Sequence, residues 1–208
     1  MGCKRFALAW LFALALVSAA PARADEIVGF GDSLMAGYGL QPGEGFTDRL
    51  QARLAERGHA VKVINGGVSG DTTTGGRERL DWTVPDSAML VILELGANDM
   101  LRGISPAVTH DNLAAMIEAL QTRGKTVILA GMRAAPSMGA DFQAAFDPIY
   151  PELAERYGLA LYPFFLEGVA ADPALLLADG MHPNAAGIDR MVDGMLPQIE
   201  AALAKAKL

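Results

Sequence analysis

Histidine is scarce in this 208-residue sequence, and its three copies keep different company. His59, in Arg57-Gly58-His59, follows a helix-like segment and reads as a surface turn residue. His110 stands beside Asp111 in the first turn of an expected helix, where a neutral or capping role suits it. His182 is different: Asp179 lies three residues before it, Gly180 stands between them, and a helix-like segment follows. So short a loop can fold the carboxylate onto the imidazole Nδ1–H and leave Nε2 free to accept a proton. The hydroxyl that this base could serve is Ser33, in Gly31-Asp32-Ser33-Leu34 at the end of an apolar run. A serine hydroxyl is a poor nucleophile unless a base reaches it and a third group orients the base. Together these residues would perform acyl transfer. Separately, Gly-Asp-Ser makes a tight turn and Asp-x-x-His is common in loops.

Acyl transfer also needs hydrogen-bond donors aimed at the oxygen that becomes negative. The Ser33 N–H qualifies if a helix starts there. The glycine-rich stretch Gly66-Gly67-Val68-Ser69-Gly70-Asp71 offers a second backbone donor, since glycine permits close approach. Asn98, in Gly96-Ala97-Asn98-Asp99, offers an amide N–H, although Asn-Asp after a strand also reads as an Asx turn. Gly67-Val68-Ser69-Gly70-Asp71 nearly reads G-x-S-x-G, but its last residue is Asp71, and Ser69 has no better claim on His182.

The elements that must position these residues are legible as alternating apolar runs and amphipathic segments. Strand-like runs are Glu26–Phe30, Val61–Ile64, Met89–Leu93, Thr126–Ala130 and Leu159–Tyr162. They lack in/out alternation, as strands buried on both sides do. Phe46, Leu50 and Leu54 share one helix face. Leu113, Met116, Ile117 and Leu120 share another, with Thr109 as the expected cap. Phe142–Tyr157 reads as one helix kinked by Pro148 and Pro151. A last helix runs from about Asn184, with Ile188, Met191, Met195 and Ile199 inward and Pro197 bending it. Alternation of this kind implies an α/β fold with a parallel sheet covered on both faces. Sites in such sheets form at the carboxyl ends of the strands. The Ser33, Gly70 and Asn98 segments leave three successive strands at one such edge, and only the His182 loop has to be assumed to join them.

Bulk composition narrows the function. Lys4 and Arg5, the apolar run Phe6–Val17 and Ala22-Arg23-Ala24 read as a signal peptide over residues 1–24, cut before Asp25, with one domain over 25–208. That cut leaves 14 cationic against 24 acidic residues, a formal charge of −10. Such a surface repels phosphate backbones, so nucleic acid is not an expected partner. No further segment is apolar enough for stable membrane insertion. The sole cysteine, Cys3, goes with the leader, which removes thiol catalysis and cysteine-ligated zinc. Asp179 and His182 lack further ligands at metal spacing, so no metal or other cofactor is expected. Gly29-x-Gly31 resembles a dinucleotide loop, but Leu34 occupies the third glycine position and no acid ends the second strand.

The four blocks together resemble the SGNH, or GDSL, hydrolase family. They are Gly31-Asp32-Ser33-Leu34 with Gly37, the glycine of Ser69-Gly70-Asp71, Gly96-Ala97-Asn98-Asp99, and Asp179-Gly180-Met181-His182. The stretches INGGVSGDTTTGG, LVILELGANDMLRG and DGMHPNAAG are similar to an exported bacterial group described as arylesterase, acyl-CoA thioesterase and lysophospholipase. The resemblance implies a flavodoxin-like three-layer α/β/α sandwich with about five parallel strands and metal-free ester hydrolysis. It also implies Ser33 as nucleophile, His182 as base and Asp179 as its orienting group. Ser33 N–H, Gly70 N–H and the Asn98 amide would form the oxyanion hole; Gly70 is chosen over Gly66 and Gly67 because Asp71 follows it. The expected substrate is a small ester or lipid. Met35, Tyr38, Leu40, Met100, Leu101, Met132, Pro136, Met138 and Phe164 are candidates for an acyl pocket or for core. Arg102 and Arg133 are candidates for an anionic head group or for solvated loops. A carbohydrate deacetylase of the same fold and a non-catalytic binding protein remain as alternatives.

Overall fold

In the computed structural model, which describes residues 25–206, the five apolar runs form one parallel sheet. The strands are β1 (Asp25–Gly31), β2 (Val61–Gly67), β3 (Ala88–Glu94), β4 (Thr126–Ala130) and β5 (Ala160–Tyr162). Their spatial order is β2-β1-β3-β4-β5, the flavodoxin-like arrangement that the family resemblance implies. The expected leader, residues 1–24, lies outside the described residues.

The helices are α1 (Ser33–Ala36), α2 (Phe46–Glu56), α3 (Thr73–Thr83), α4 (Ala97–Leu101), α5 (Pro106–Thr122), α6 (Ala140–Phe146), α7 (Ile149–Tyr157) and α8 (Ala185–Ala206). α2 packs with α8 on one side, while α3, α5 and α7 pack in succession on the other. Central strands therefore bury both faces: Leu90, Val91, Ile92 and Leu93 of β3 are wholly inaccessible. The edge strands depart from the sequence reading. β2 exposes Lys62 and Asn65, and all three residues of β5 are half-buried, because each has a neighbour on one side only.

The amphipathic faces pack as their spacing requires. Phe46, Leu50 and Leu54 are fully buried on α2, as are Leu113, Met116, Ile117 and Leu120 on α5. Two helix assignments differ from expectation. α5 begins at Pro106 after Ser105, because proline at the first helical position costs no hydrogen bond. Thr109 is thus buried inside α5 and caps nothing. The expected single helix 142–157 is two, α6 and α7, broken between Phe146 and Ile149 at Asp147-Pro148. Pro151 sits harmlessly in the first turn of α7. α8 continues through Pro197 and buries Ile188, Met191, Met195 and Ile199.

Helix α3 is not legible in sequence, since Thr73-Thr74-Gly75-Gly76 reads as loop. Packing explains Gly76: a Cβ there would overlap the Leu95 side chain. The close approach of α3 to the sheet outweighs the helix propensity that glycine forfeits, about 1 kcal/mol per residue.

Candidate active site

The carboxyl ends of β1, β2 and β3 finish level with one another. Gly31 pairs with Gly67, and Phe30 pairs with both Gly66 and Leu93. The segments carrying Ser33, Gly70 and Asn98 therefore leave the sheet side by side, where the strand order reverses between β1 and β3. Ligands bind α/β sheets at such switch points.

Ser33 is the first residue of α1. Asp32 caps this turn: its Oδ1 accepts the Leu34 N–H at 3.0 Å. Gly37, at φ +81°, ends the helix in the left-handed region that glycine adopts without strain. The His182 loop is fixed at both ends. Leu177 N–H donates to the His182 carbonyl at 2.7 Å, and Asn184 Oδ1 accepts the Gly187 N–H at 3.0 Å at the start of α8.

These loops meet. His182 Nε2 lies 2.9 Å from Ser33 Oγ, and His182 Nδ1 lies 2.7 Å from Asp179 Oδ2. Asp179 Oδ1 accepts the N–H groups of Met181 and His182 at 2.9 and 3.0 Å. Those backbone donors, followed by the imidazole, pull the Asp179 carboxyl down to about 2. Asp179 is thus ionised across the working pH range, which favours a proton on the Nδ1 facing it and leaves Nε2 as the acceptor. Tyr38 packs against the imidazole, ring centroids 4.6 Å apart.

Ser33, Gly70 and Asn98 line the same cleft as His182. Among the described residues, no protein acceptor takes the N–H of Ser33 or of Gly70. Asn98 is placed by Gly96, whose φ of +119° turns β3 into α4, and by its Nδ2, which donates to Asp32 Oδ2 at 3.0 Å. Arg102 Nη2 donates to the Gly70 carbonyl at 2.6 Å and pins that loop. Ser69 also lines the cleft, but it is not hydrogen-bonded to His182, so the G-x-S-x-G decoy has no base. His59 and His110 lie elsewhere, against Glu200 and Asp111.

The cleft is about 660 Å³. Tyr38, Met100, Leu101, Met132, Pro136 and Phe164 line it as candidates from sequence, joined by Leu34, Leu166, Ala170 and Met181. Met35, Leu40 and Met138 do not; Met35 is wholly buried beneath the site. Arg133 lies at the wall, exposed, its guanidinium 5.0 Å from the Phe164 ring centre.

A polar underlayer escapes the sequence reading. Asp99 is buried and accepts the Thr73 N–H and Oγ–H, at 2.8 and 2.5 Å, tying α4 to α3. Arg79 lies over the Phe30 ring and donates to Asp71, to the Gly66 carbonyl and to the Gly31 carbonyl. Glu94, at the end of β3, is wholly buried; its Oε2 accepts the Asp32 N–H at 3.2 Å. One signal is available: Glu94 is the lone charge in the run Met89–Leu95.

Burial pushes the Glu94 carboxyl well above its usual range, and the nearby Asp32 charge adds to the rise. Burial likewise lifts Asp32 to about 6, against the opposing hydrogen bonds from Leu34 and Asn98. A raised carboxyl is most favourable to folding below its unfolded pKa, near 4.5 for Glu94, and that benefit fades as pH climbs toward the folded value. Wild-type stability should therefore fall over the range above about pH 4.5, more steeply than that of Glu94→Gln, which carries no such proton. Thermal midpoints of both proteins across that range check this; parallel pH profiles would contradict it.

Residues 30–190 match the family described as GDSL-like Lipase/Acylhydrolase. The chain belongs to that family. It is 42% identical over 172 residues to an arylesterase of Vibrio mimicus, covering 81% of this chain and 84% of that protein. It is 38% identical over 183 residues to Esterase TesA of Pseudomonas aeruginosa, covering 88% and 91%. The crystal structure of AlinE4, described as an SGNH-hydrolase family esterase, superposes with a TM-score of 0.74 at 45% identity, over 88% of this chain and 99% of that one.

Proposed function

We propose that this GDSL-family protein is a serine hydrolase of carboxylic esters that works through an acyl-enzyme. The observation that carries the reading is the continuous relay from Asp179 through His182 to Ser33, opening into an apolar cleft. Ser33 Oγ attacks the acyl carbon as its proton passes to His182 Nε2. The carbonyl oxygen becomes an oxyanion and receives the N–H groups of Ser33 and Gly70 and the free N–H of the Asn98 amide. When the tetrahedral centre collapses, the bond to the leaving group breaks and His182 gives it the proton. Water then attacks the Ser33 ester, hands its proton to His182, and the acid departs as Ser33 regains its hydrogen.

Methionines and aromatics on the cleft wall suit a flexible acyl chain more than a sugar ring. The acidic charge balance favours neutral aryl or acyl esters and lysophospholipids, with acyl thioesters as a secondary capability. The leader-like residues 1–24 support action outside the cytoplasm, in the periplasm or beyond, with the chain starting at Asp25.

The test is hydrolysis of nitrophenyl esters from acetyl to palmitoyl, with a sugar acetate alongside. Turnover of acyl esters longer than acetyl supports the reading; activity confined to the sugar acetate would replace it with a deacetylase. Within this mechanism Asn98→Ala should lower turnover by about 10²–10³, the cost of one missing oxyanion donor. An unchanged rate constant would remove Asn98 from the oxyanion hole.

A further inference from the structure

An amide side chain rotates freely unless something grips it, and the Asn98 side chain is gripped on one side only. Its Nδ2 donates to Asp32 Oδ2, a residue 66 positions away in sequence. Asp32 is wholly buried, and its two carboxylate oxygens are divided between two duties. Oδ1 holds the Leu34 N–H and so shapes the turn that presents Ser33, while Oδ2 holds Asn98. The Asp32 backbone is anchored from below by Glu94 Oε2. Glu94 occupies the space that a side chain at position 31 would need: a Cβ on Gly31 would overlap its carboxyl. Glu94 Oε1 is buried and has no partner among the described residues. A buried carboxyl oxygen without a partner is costly, and the support that Glu94 gives the Asp32 turn is a structural return for that cost.

We propose that Asp32 is the positioning residue of the oxyanion hole: supported by Glu94, it fixes one N–H of the Asn98 amide so that the other points at the substrate oxygen. This rests on the reading of Asn98 as an oxyanion donor. Charge assistance matters because both oxygens must accept at once. Asparagine at position 32 puts an NH2 where one of these two oxygens stands, so it can keep the Leu34 cap or the Asn98 grip, never both.

The test is a double-mutant cycle on ester turnover, with active sites titrated so that kcat refers to folded enzyme. Asp32→Asn should lower kcat by about 10–100-fold, the scale of a misaimed group, with KM changed less than about twofold. In an Asn98→Ala background the same substitution should cost less than about threefold, because there is no amide left to aim. A merely structural Asp32 would cost the same in both backgrounds, and that result would overturn the proposal. If Asn98→Ala alone is harmless, the oxyanion reading fails first; if Asn98→Ala is costly and the cycle is additive, only the role of Asp32 fails. A measurement on wild-type protein guards against a variant that does not fold. The two Asn98 Nδ2 protons should exchange with solvent at clearly different rates, the one held by Asp32 being slower. Equal, fast exchange would overturn the grip.

Discussion

Ser33→Ala should lower kcat for nitrophenyl esters by on the order of 10⁴–10⁶, to the residual rate that binding and oxyanion donors supply alone. The magnitude follows from the geometry. His182 Nε2 is 2.9 Å from Ser33 Oγ, within hydrogen-bond reach, and Ser33 lines the cleft. In the proposed mechanism, removing the hydroxyl deletes the atom that forms the acyl bond. Because nucleophile and base act as one unit, Ser33→Ala combined with His182→Ala should be scarcely worse than either alone. Fold damage is not the cause foreseen. Ser33 is half-buried, and the turn is built by Asp32 and Gly37 with no part taken by the Ser33 hydroxyl. Steady-state assays of the two single variants and the double variant check both statements. Independent, multiplying losses would mean that Ser33 and His182 are not coupled.

Asp179→Asn should cost about 10⁴ in kcat while leaving the loop folded. The substituted side chain can still accept the Met181 and His182 N–H groups through its carbonyl oxygen. The atom facing His182 Nδ1 is then an amide nitrogen, which donates. That reverses the preference of the imidazole: its proton moves to Nε2, where it can no longer accept from Ser33. The wild-type carboxyl is held at about 2, so its charge persists through the pH range of assay and this loss should not be recovered at any pH where the protein is folded. Comparison of kcat across pH for wild type and Asp179→Asn provides the check. A variant within about tenfold of wild type would show that the imidazole keeps its tautomer without the carboxylate.

The parts of the molecule that are legible in sequence are those whose cause is local. Buried strands announce themselves as apolar runs, and α2 and α5 as stripes of apolar side chains, because period and burial are written in neighbouring residues. Ser33, Asn98 and His182 are legible because each follows or precedes such an element in a short glycine-bearing loop. The illegible parts depend on partners far along the chain. Asp32 grips Asn98 across 66 positions and rests on Glu94 across 62, so neither role leaves a local pattern. Helix α3 hides behind Gly75-Gly76, since its stability comes from lying against Leu95 and from Asp99 holding Thr73. Thr109 resembles a cap in sequence for a related reason. Its hydroxyl serves Asp99 at 3.3 Å, a partner no helix pattern reveals. Arg102 reads as solvent-facing or substrate-facing, and its guanidinium instead holds the Gly70 loop.

In the proposed mechanism the acyl group passes through Ser33. An aryl alkylphosphonate reacts with an activated serine and stays there, because its adduct resembles the tetrahedral intermediate and is not hydrolysed in turn. Intact-mass measurement after such treatment, followed by digestion and sequencing of the labelled peptide, shows whether Ser33 carries the acyl group. One adduct per chain is expected, located on Ser33, with loss of ester turnover in proportion to labelling and no labelling of Ser33→Ala. An adduct on Ser69, or full labelling elsewhere with turnover intact, would contradict it.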